Sequence, residues 1–140
     1  MMLRGCRLIA ALWWGAMAGM AFIAVPVIFA VAPEKALAGS IAARVFDVHA
    51  YWVMAGGVLL LVLQALEPTV RMRRLTWSLG LAVVAAAVNH WAVAPLIVTA
   101  RSTGGNLALW HGLGSGLIAL CFLLGAWVNW RLSSRQSLFA

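Results

Sequence analysis

Four long apolar runs occupy almost the whole of this 140-residue chain. They cover residues 8–32, 44–66, 75–99 and 107–130, and an α-helix needs about 20 apolar residues to cross a bilayer core of roughly 30 Å. Lipid offers no hydrogen bonds to exposed backbone groups, so runs of this kind must be helical. The sequence therefore predicts an all-α membrane protein, a four-transmembrane-helix bundle in which residues 1–140 form a single integral membrane domain.

The composition leaves little room for a conventional active site. Charged residues make up 9% of the chain, whereas soluble domains carry about 25%. The apolar runs leave no stretch long enough for a separate extramembrane domain, and the sequence has no nucleophile elbow and no phosphate-binding loop. We therefore expect a polytopic membrane protein without evident catalytic machinery, which acts as an interaction or accessory protein.

The basic residues lie between the apolar runs and divide unequally between the two sides of the membrane. In a four-span chain the two ends and the middle connection share one side, and the other side holds Lys35, Arg44 and Arg101. The first side holds seven arginines: Arg4, Arg7, Arg71, Arg73, Arg74, Arg131 and Arg135. The positive-inside rule then predicts a bacterial-type inner-membrane protein with both termini in the cytoplasm.

The net charge of +7 does not indicate a nucleic-acid-binding protein, because basic residues spread between the spans form no continuous face. The natural partner of the basic side is the lipid bilayer with its anionic head groups. A basic start followed by an apolar run also occurs in signal peptides, but their apolar core has only about 7–15 residues. The first run is far longer, so we expect it to be retained as a span.

The chain repeats itself. Residues 25–28 (VPVI) end the first run and residues 94–97 (APLI) end the third, and a polar segment with glycine follows each. Residues 46–49 (FDVH) then lead into the second run, and residues 108–111 (ALWH) lead into the fourth. Both hairpins start on the same side, which predicts two parallel pseudo-repeated hairpins. Because Pro26 and Pro95 each remove a helical hydrogen bond, we expect both breaks to face protein or water.

Small residues recur at helical spacing in two of the runs. Gly15 and Gly19 lie in the first run, and Gly112 and Gly116 lie in the fourth. Apolar side chains gain little by leaving lipid, so membrane helices associate where small residues let their backbones approach closely. These glycines therefore predict helix contacts, either within the bundle or with a homo-oligomer or another membrane protein.

Ionisable residues inside a bilayer are costly and are often functional. The apolar runs contain Asp47, His49, His90 and His111, with Asn89 beside them. Neutral, hydrogen-bonded histidines would hold helices together. Alternatively, His49 and His111 would ligate haem b or copper, or all three histidines would bind a metal, because imidazole suits iron, copper and zinc. A third interpretation is a proton or ion relay that also uses Asp47.

Several short segments resemble the transmembrane protein 205-like family, a domain of unknown function found in bacteria and eukaryotes. The first runs from residues 14–15 (WG) to residues 25–29 (VPVIF). The others are residues 38–42 (AGSIA), residues 93–97 (VAPLI) and residues 111–113 (HGL). That family is similar to the copper resistance D-like membrane proteins and the J-type protoporphyrinogen oxidase, whose members include haem- or copper-linked four-helix proteins. The resemblance implies a four-span fold and favours haem or copper. It assigns no role to His49 or His90, and His111 matches only as a position.

Three functions stay open at this point: an accessory protein that acts with a partner or lipid, a haem- or copper-binding protein, and a small exporter subunit. An exporter of this size would work as an oligomer, because four short helices enclose little volume. An absorption spectrum distinguishes the first two, since bound haem gives a Soret band that the His111→Ala substitution would remove.

Overall fold

The computed structural model describes residues 2–67 and 71–134, and nearly all of them are helical. Two of the helical rods contain a five-residue π-helical turn, here called the first and the second π-turn. In chain order the elements are α1 (Met2–Gly19), the first π-turn (Met20–Ala24), α2 (Val25–Val31), α3 (Lys35–Leu66), α4 (Arg73–Val88), the second π-turn (Asn89–Val93), α5 (Ala94–Thr103) and α6 (Leu107–Ser133).

Four continuous helical rods are long and apolar enough to cross a membrane: Leu3–Val31, Lys35–Leu66, Arg73–Thr103 and Leu107–Ser133. They confirm the predicted all-α bundle of four spans, and no strand occurs in the part of the chain that the structure describes. The second rod begins at Lys35, well before the apolar run at residue 44, so the expected polar loop is mostly helix. At 1.5 Å per residue this rod is about 48 Å long, which exceeds a bilayer core of roughly 30 Å.

The four rods form a ring in which each contacts two others. α1 packs against α3 and α6, and α4 packs against the same two helices from the opposite side. The interior is built around Trp13, whose indole N–H donates to the Val53 carbonyl at 3.0 Å. This ring is 1% exposed and lies where a Cβ on Gly56 would overlap it. The large indole therefore fills the bundle only because the facing helix carries glycine there.

Among the described residues, the predicted glycine contacts do not form between the helices of the bundle. A Cβ added at Gly15, Gly19, Gly112 or Gly116 would meet no heavy atom within 4 Å. The reason is the rotation of the helices: successive residues turn by about 100°, so residues two apart lie on nearly opposite faces. Trp13 and Met17 face the core, and Gly15 and Gly19 face outward. Close approaches occur instead at Gly56, Gly57, Gly114 and Gly125.

The two prolines stand in the same relation to the two π-turns. Each π-turn begins six residues before its proline, which is Pro26 in α2 and Pro95 in α5. Both proline rings lie on the outer surface of the bundle. The pseudo-repeat of two parallel hairpins is therefore present in the backbone as well as in the sequence.

The π-turns change the hydrogen bonding just before each proline. In the first, the Val25 N–H donates to the Met20 carbonyl, five residues back. In the second, the Ala94 N–H donates in the same way to the Asn89 carbonyl. A proline has no N–H to continue the α-helical ladder, and a single wider turn lets the helix resume beyond it without a sharp break.

Candidate functional site

Three polar side chains from two spans meet beside the second π-turn. Asp47 and Tyr51 lie one helical turn apart on α3 and therefore share a face. His90 is the second residue of the π-turn, and its Nε2 lies 3.1 Å from the Tyr51 hydroxyl. Its Nδ1 lies 3.6 Å from the Asp47 carboxylate. We call Asp47, Tyr51 and His90 the lateral cluster.

The contacts define the roles of the two ring nitrogens. If the neutral ring carries its proton on Nδ1, that N–H points at the carboxylate, and Nε2 accepts the Tyr51 O–H. The separation of 3.6 Å between His90 and Asp47 is too long for a hydrogen bond, so this contact is electrostatic. The Asp47 carboxyl group thus retains most of its capacity to accept hydrogen bonds.

The lateral cluster opens outward. The Asp47 side chain is 45% exposed, whereas that of His90 is 14% exposed. An ionisable group in a membrane span normally faces the interior of the bundle or a water-filled cavity, because a charge in lipid is expensive. An outward-facing carboxylate beside a hydrogen-bonded histidine is therefore the most unusual polar feature of the described spans.

An apolar groove begins at this cluster. It has a volume of about 650 Å³ and opens to the outside of the bundle. Trp91, the next residue of the π-turn, forms one wall, and its ring centroid lies 5.5 Å from that of His90. The remaining lining residues belong to α3: Tyr51, Met54, Ala55, Val58, Leu59 and Val62. The groove is therefore an apolar trough that shares Tyr51 with the lateral cluster at one end.

The residue before His90 faces a different space. Asn89 lines a small internal cavity of about 20 Å³ together with His49 of α3 and Cys121 of α6. The buried Oδ1 of Asn89 has no hydrogen-bond partner among the residues that the structure describes. The Cys121 thiol donates to the Ala82 carbonyl at 3.4 Å. A cavity of this size accommodates about one water molecule, which would satisfy the Asn89 oxygen.

The structure does not bring the three histidines together. His49 shares the internal cavity with Ile118 and Cys121, which lie seven and ten residues beyond His111 on α6. At 1.5 Å per residue, His111 is thus displaced along the helix axis by about 10 Å or more from the part of α6 that faces His49. His111 is exposed.

The offset between the two histidines comes from helix lengths. Both connections at this end have three residues, 32–34 and 104–106. α3 begins fourteen residues before His49, whereas α6 begins four residues before His111. The difference in spacing within the sequence repeat is therefore taken up by helix and not by loop, and equivalent sequence positions do not face each other.

The described residues do not form the metal site that the three histidines together would have made. Among the described residues, no three His, Cys, Asp or Glu side chains are grouped closely enough to hold a metal ion. The cavity beside His49 has the size of one water, whereas cofactor sites are typically about 300–1,000 Å³. Of the methionines that would suit copper(I), Met17 and Met20 are buried in the first span and Met54 lines the groove.

Sequence reasoning identified Asp47 and His90 and missed their third partner. Tyr51 and Trp91 lie towards the ends of their apolar runs, a position typical of aromatic anchors at a membrane interface. The spacing of Asp47 and Tyr51, four residues apart in a helix, is the signal that places both on one face. Nothing in the sequence indicated that the face of His90 would meet that of Tyr51.

The fold and the lateral cluster define a class: a polytopic α-helical membrane protein with a polar site inside its spans. The chain belongs to the family described as "Domain of unknown function (DUF4149)", whose model matches residues 8–106. The match includes the first three spans, both prolines and the whole lateral cluster, and it ends just before α6. No curated protein and no solved structure matches the chain.

Proposed function

We propose that this chain is an accessory protein of the bacterial inner membrane that receives a bilayer-borne molecule at its lateral cluster. The observation that carries the proposal is the outward-facing Asp47 carboxylate, 45% exposed within a membrane-spanning rod. An unshielded carboxylate in contact with lipid would cost several kcal/mol on most scales. A molecule that enters the groove laterally and interacts with this carboxylate removes that cost.

The proposal includes a topology. Seven arginines lie in the two ends and the middle connection, which favours cytoplasmic termini. The loops 32–34 and 104–106 would then lie on the periplasmic side. A reporter enzyme fused after Ala140 that is active only inside the cell is the expected result, and activity outside the cell would contradict this topology.

The resemblance to the transmembrane protein 205-like family implies the four-span fold and names no role. We propose that the kinship extends to those proteins through the segments around Pro26 and Pro95, which flank the two π-turns. A small exporter subunit is the second candidate function, because the groove opens sideways to the bilayer. Deletion of the gene would then raise sensitivity to a toxic solute, and the purified protein would have the mass of an oligomer.

The test of the proposed function is site-specific photocrosslinking in intact membranes. A photoreactive benzoyl-phenylalanine replaces Val58, which lines the groove, or Leu123, which is 63% exposed on α6 across the ring. We expect a discrete adduct of defined mass at position 58 that is lost in the Asp47→Asn variant. The same mixture of bulk-lipid adducts at both positions, unaffected by Asp47→Asn, would contradict the proposal.

A further inference from the structure

We infer that the molecule received by the groove is an amphiphile with a cationic head group, of the alkylammonium class. This inference rests on the proposed function and names the chemistry of its ligand. It combines three features of the lateral site: an unneutralised carboxylate, a wall of aromatic rings and an apolar trough.

The carboxylate supplies the charge that selects a cation. No lysine or arginine nitrogen of the described residues lies within 4.0 Å of the Asp47 oxygens. Arg44 is one helical turn away on α3, yet it forms no ion pair with Asp47. Among the described residues, the ion-pair partner of Asp47 is His90, at 3.6 Å. A cation bound here gains a charge partner in a medium where water does not screen the interaction, whereas an anion would be repelled.

The aromatic rings suit a cationic head group. The Tyr51 and His90 ring centroids are 4.8 Å apart, and His90 and Trp91 are 5.5 Å apart, so three rings stand side by side. Tyr51 is 55% exposed and Trp91 is 63% exposed, so both present ring surface to an incoming ligand. The negative faces of aromatic rings attract ammonium groups, and substituted ammonium ions are commonly recognised in this way.

The trough suits a flexible hydrocarbon tail. From Tyr51 to Val62 it follows α3 for eleven residues, or about 16 Å at 1.5 Å per residue. Met54 lies near its polar end, and the unbranched methionine side chain adapts to tails of different shape. A volume of about 650 Å³ falls within the range of roughly 300–1,000 Å³ typical of small-molecule sites.

The volume favours a single amphiphile over a basic helix of another protein. A helix with its side chains is about 10–12 Å wide, so a 16 Å length of it occupies roughly 1,300–1,800 Å³. The groove holds between about a third and a half of that. A helix would therefore place only one face in the groove, whereas a single flexible chain fits within it.

The experiment measures binding of radiolabelled dodecyltrimethylammonium to the full-length protein in lipid nanodiscs, with empty nanodiscs subtracted. We expect saturable binding at one site and about tenfold weaker binding in Asp47→Asn, which keeps the shape and removes the charge. Glu34→Gln is the matched control, because it removes an exposed carboxylate outside the groove and leaves binding unchanged.

Competition identifies the part of the ligand that is recognised. Unlabelled dodecylamine displaces the probe, whereas dodecanol and dodecyl sulfate at equal concentration do not. Equal displacement by dodecanol, or equal binding to Asp47→Asn and the unmodified protein, would overturn the inference. So would displacement by a basic transmembrane peptide but not by dodecylamine.

The two proposals fail in different ways. A discrete Asp47-dependent adduct at position 58 without any preference for cations leaves the proposed function in place and removes only the ligand class. Absence of both the adduct and saturable binding removes both. Variants are compared only after size-exclusion chromatography and circular dichroism show that they keep the unmodified fold.

Discussion

The first π-turn, Met20–Ala24, and the second, Asn89–Val93, each begin six residues before a proline, but their side chains meet different surroundings. In the first turn the third residue, Phe22, packs edge-on against Phe122 of α6 with centroids 5.5 Å apart. In the second turn the third residue, Trp91, forms a wall of the groove.

The polar residues distinguish the two turns further. The first two positions are Met20 and Ala21 in one turn and Asn89 and His90 in the other. Both hairpins thus use a π-turn to accommodate a proline that lacks a backbone N–H. The polar site is specific to the second hairpin, because only there does an acidic and aromatic helix face adjoin the turn.

The interior shows the same asymmetry. Trp13 and Ala82 each lie thirteen residues before their proline, and both are buried. We expect Trp13→Ala to lower the free energy of unfolding by about 3 kcal/mol, because it leaves a cavity and removes the indole hydrogen bond to the Val53 carbonyl. The equivalent Ala82→Gly should cost only about 1 kcal/mol. Denaturing-detergent titration measures both, and equal losses would show that the two halves pack alike.

Gly56 on α3 faces Trp13 and makes room for its ring. A Cβ at Gly56 would overlap the Trp13 ring, which is too well buried to move aside. Gly56→Ala is therefore expected to cost about 2 kcal/mol of unfolding free energy in the same titration. Gly15→Ala is its control and should not lower the stability, because nothing lies within 4 Å of the added methyl group. Loss of stability in the control alone would contradict the helix rotations described above.

The prolines test whether the two π-turns are functionally equivalent. Pro95→Ala restores a backbone donor, lets the second turn relax towards α-helix and shifts His90 relative to Tyr51. We expect the yield of the position-58 adduct to fall severalfold. Pro26→Ala makes the same change in the first turn, far from the groove, and should leave that yield unchanged. Equal reductions in both variants would indicate a general effect on folding.

The smallest expected effect is that of the hydrogen bond within the lateral cluster. A double-mutant cycle with Tyr51→Phe and His90→Ala should give a coupling energy of about 0.6 kcal/mol, the average for polar pairs between membrane helices. The readout is again unfolding by denaturing detergent. Additive losses would mean that the contact at 3.1 Å contributes nothing to stability.

The sequence predicted the spans and the repeat because both depend on local properties. Whether a segment enters lipid is decided by its own hydropathy over about 20 residues, and a proline interrupts a helix wherever it occurs. The four rods, the two prolines and the unusual position of Asp47 were therefore accessible from the amino-acid order alone. Each π-turn begins six residues before its proline, so the predicted sequence repeat is also a repeat of the backbone.

The rotation and the axial offset of the helices required the tertiary structure. In water, a helix shows its buried face by an apolar stripe, but in lipid both faces are apolar. Leu12 is 59% exposed and Leu79 is 1% exposed, although the residues are chemically identical. The outward rotation of Gly15 could not be foreseen for this reason.

The rotation and axial offset of the helices also explain why His49 and His111 are apart and why His90 contacts Tyr51. His49 and His111 occupy equivalent positions in the sequence repeat. However, fourteen helical residues of α3 precede His49 and only four of α6 precede His111, so the two side chains lie at different heights in the bundle. Helix packing is set by how well Trp13, Gly56 and the other core residues fit together between chain segments distant in sequence. Local order thus determined what enters the membrane, and long-range packing decided which polar groups meet there.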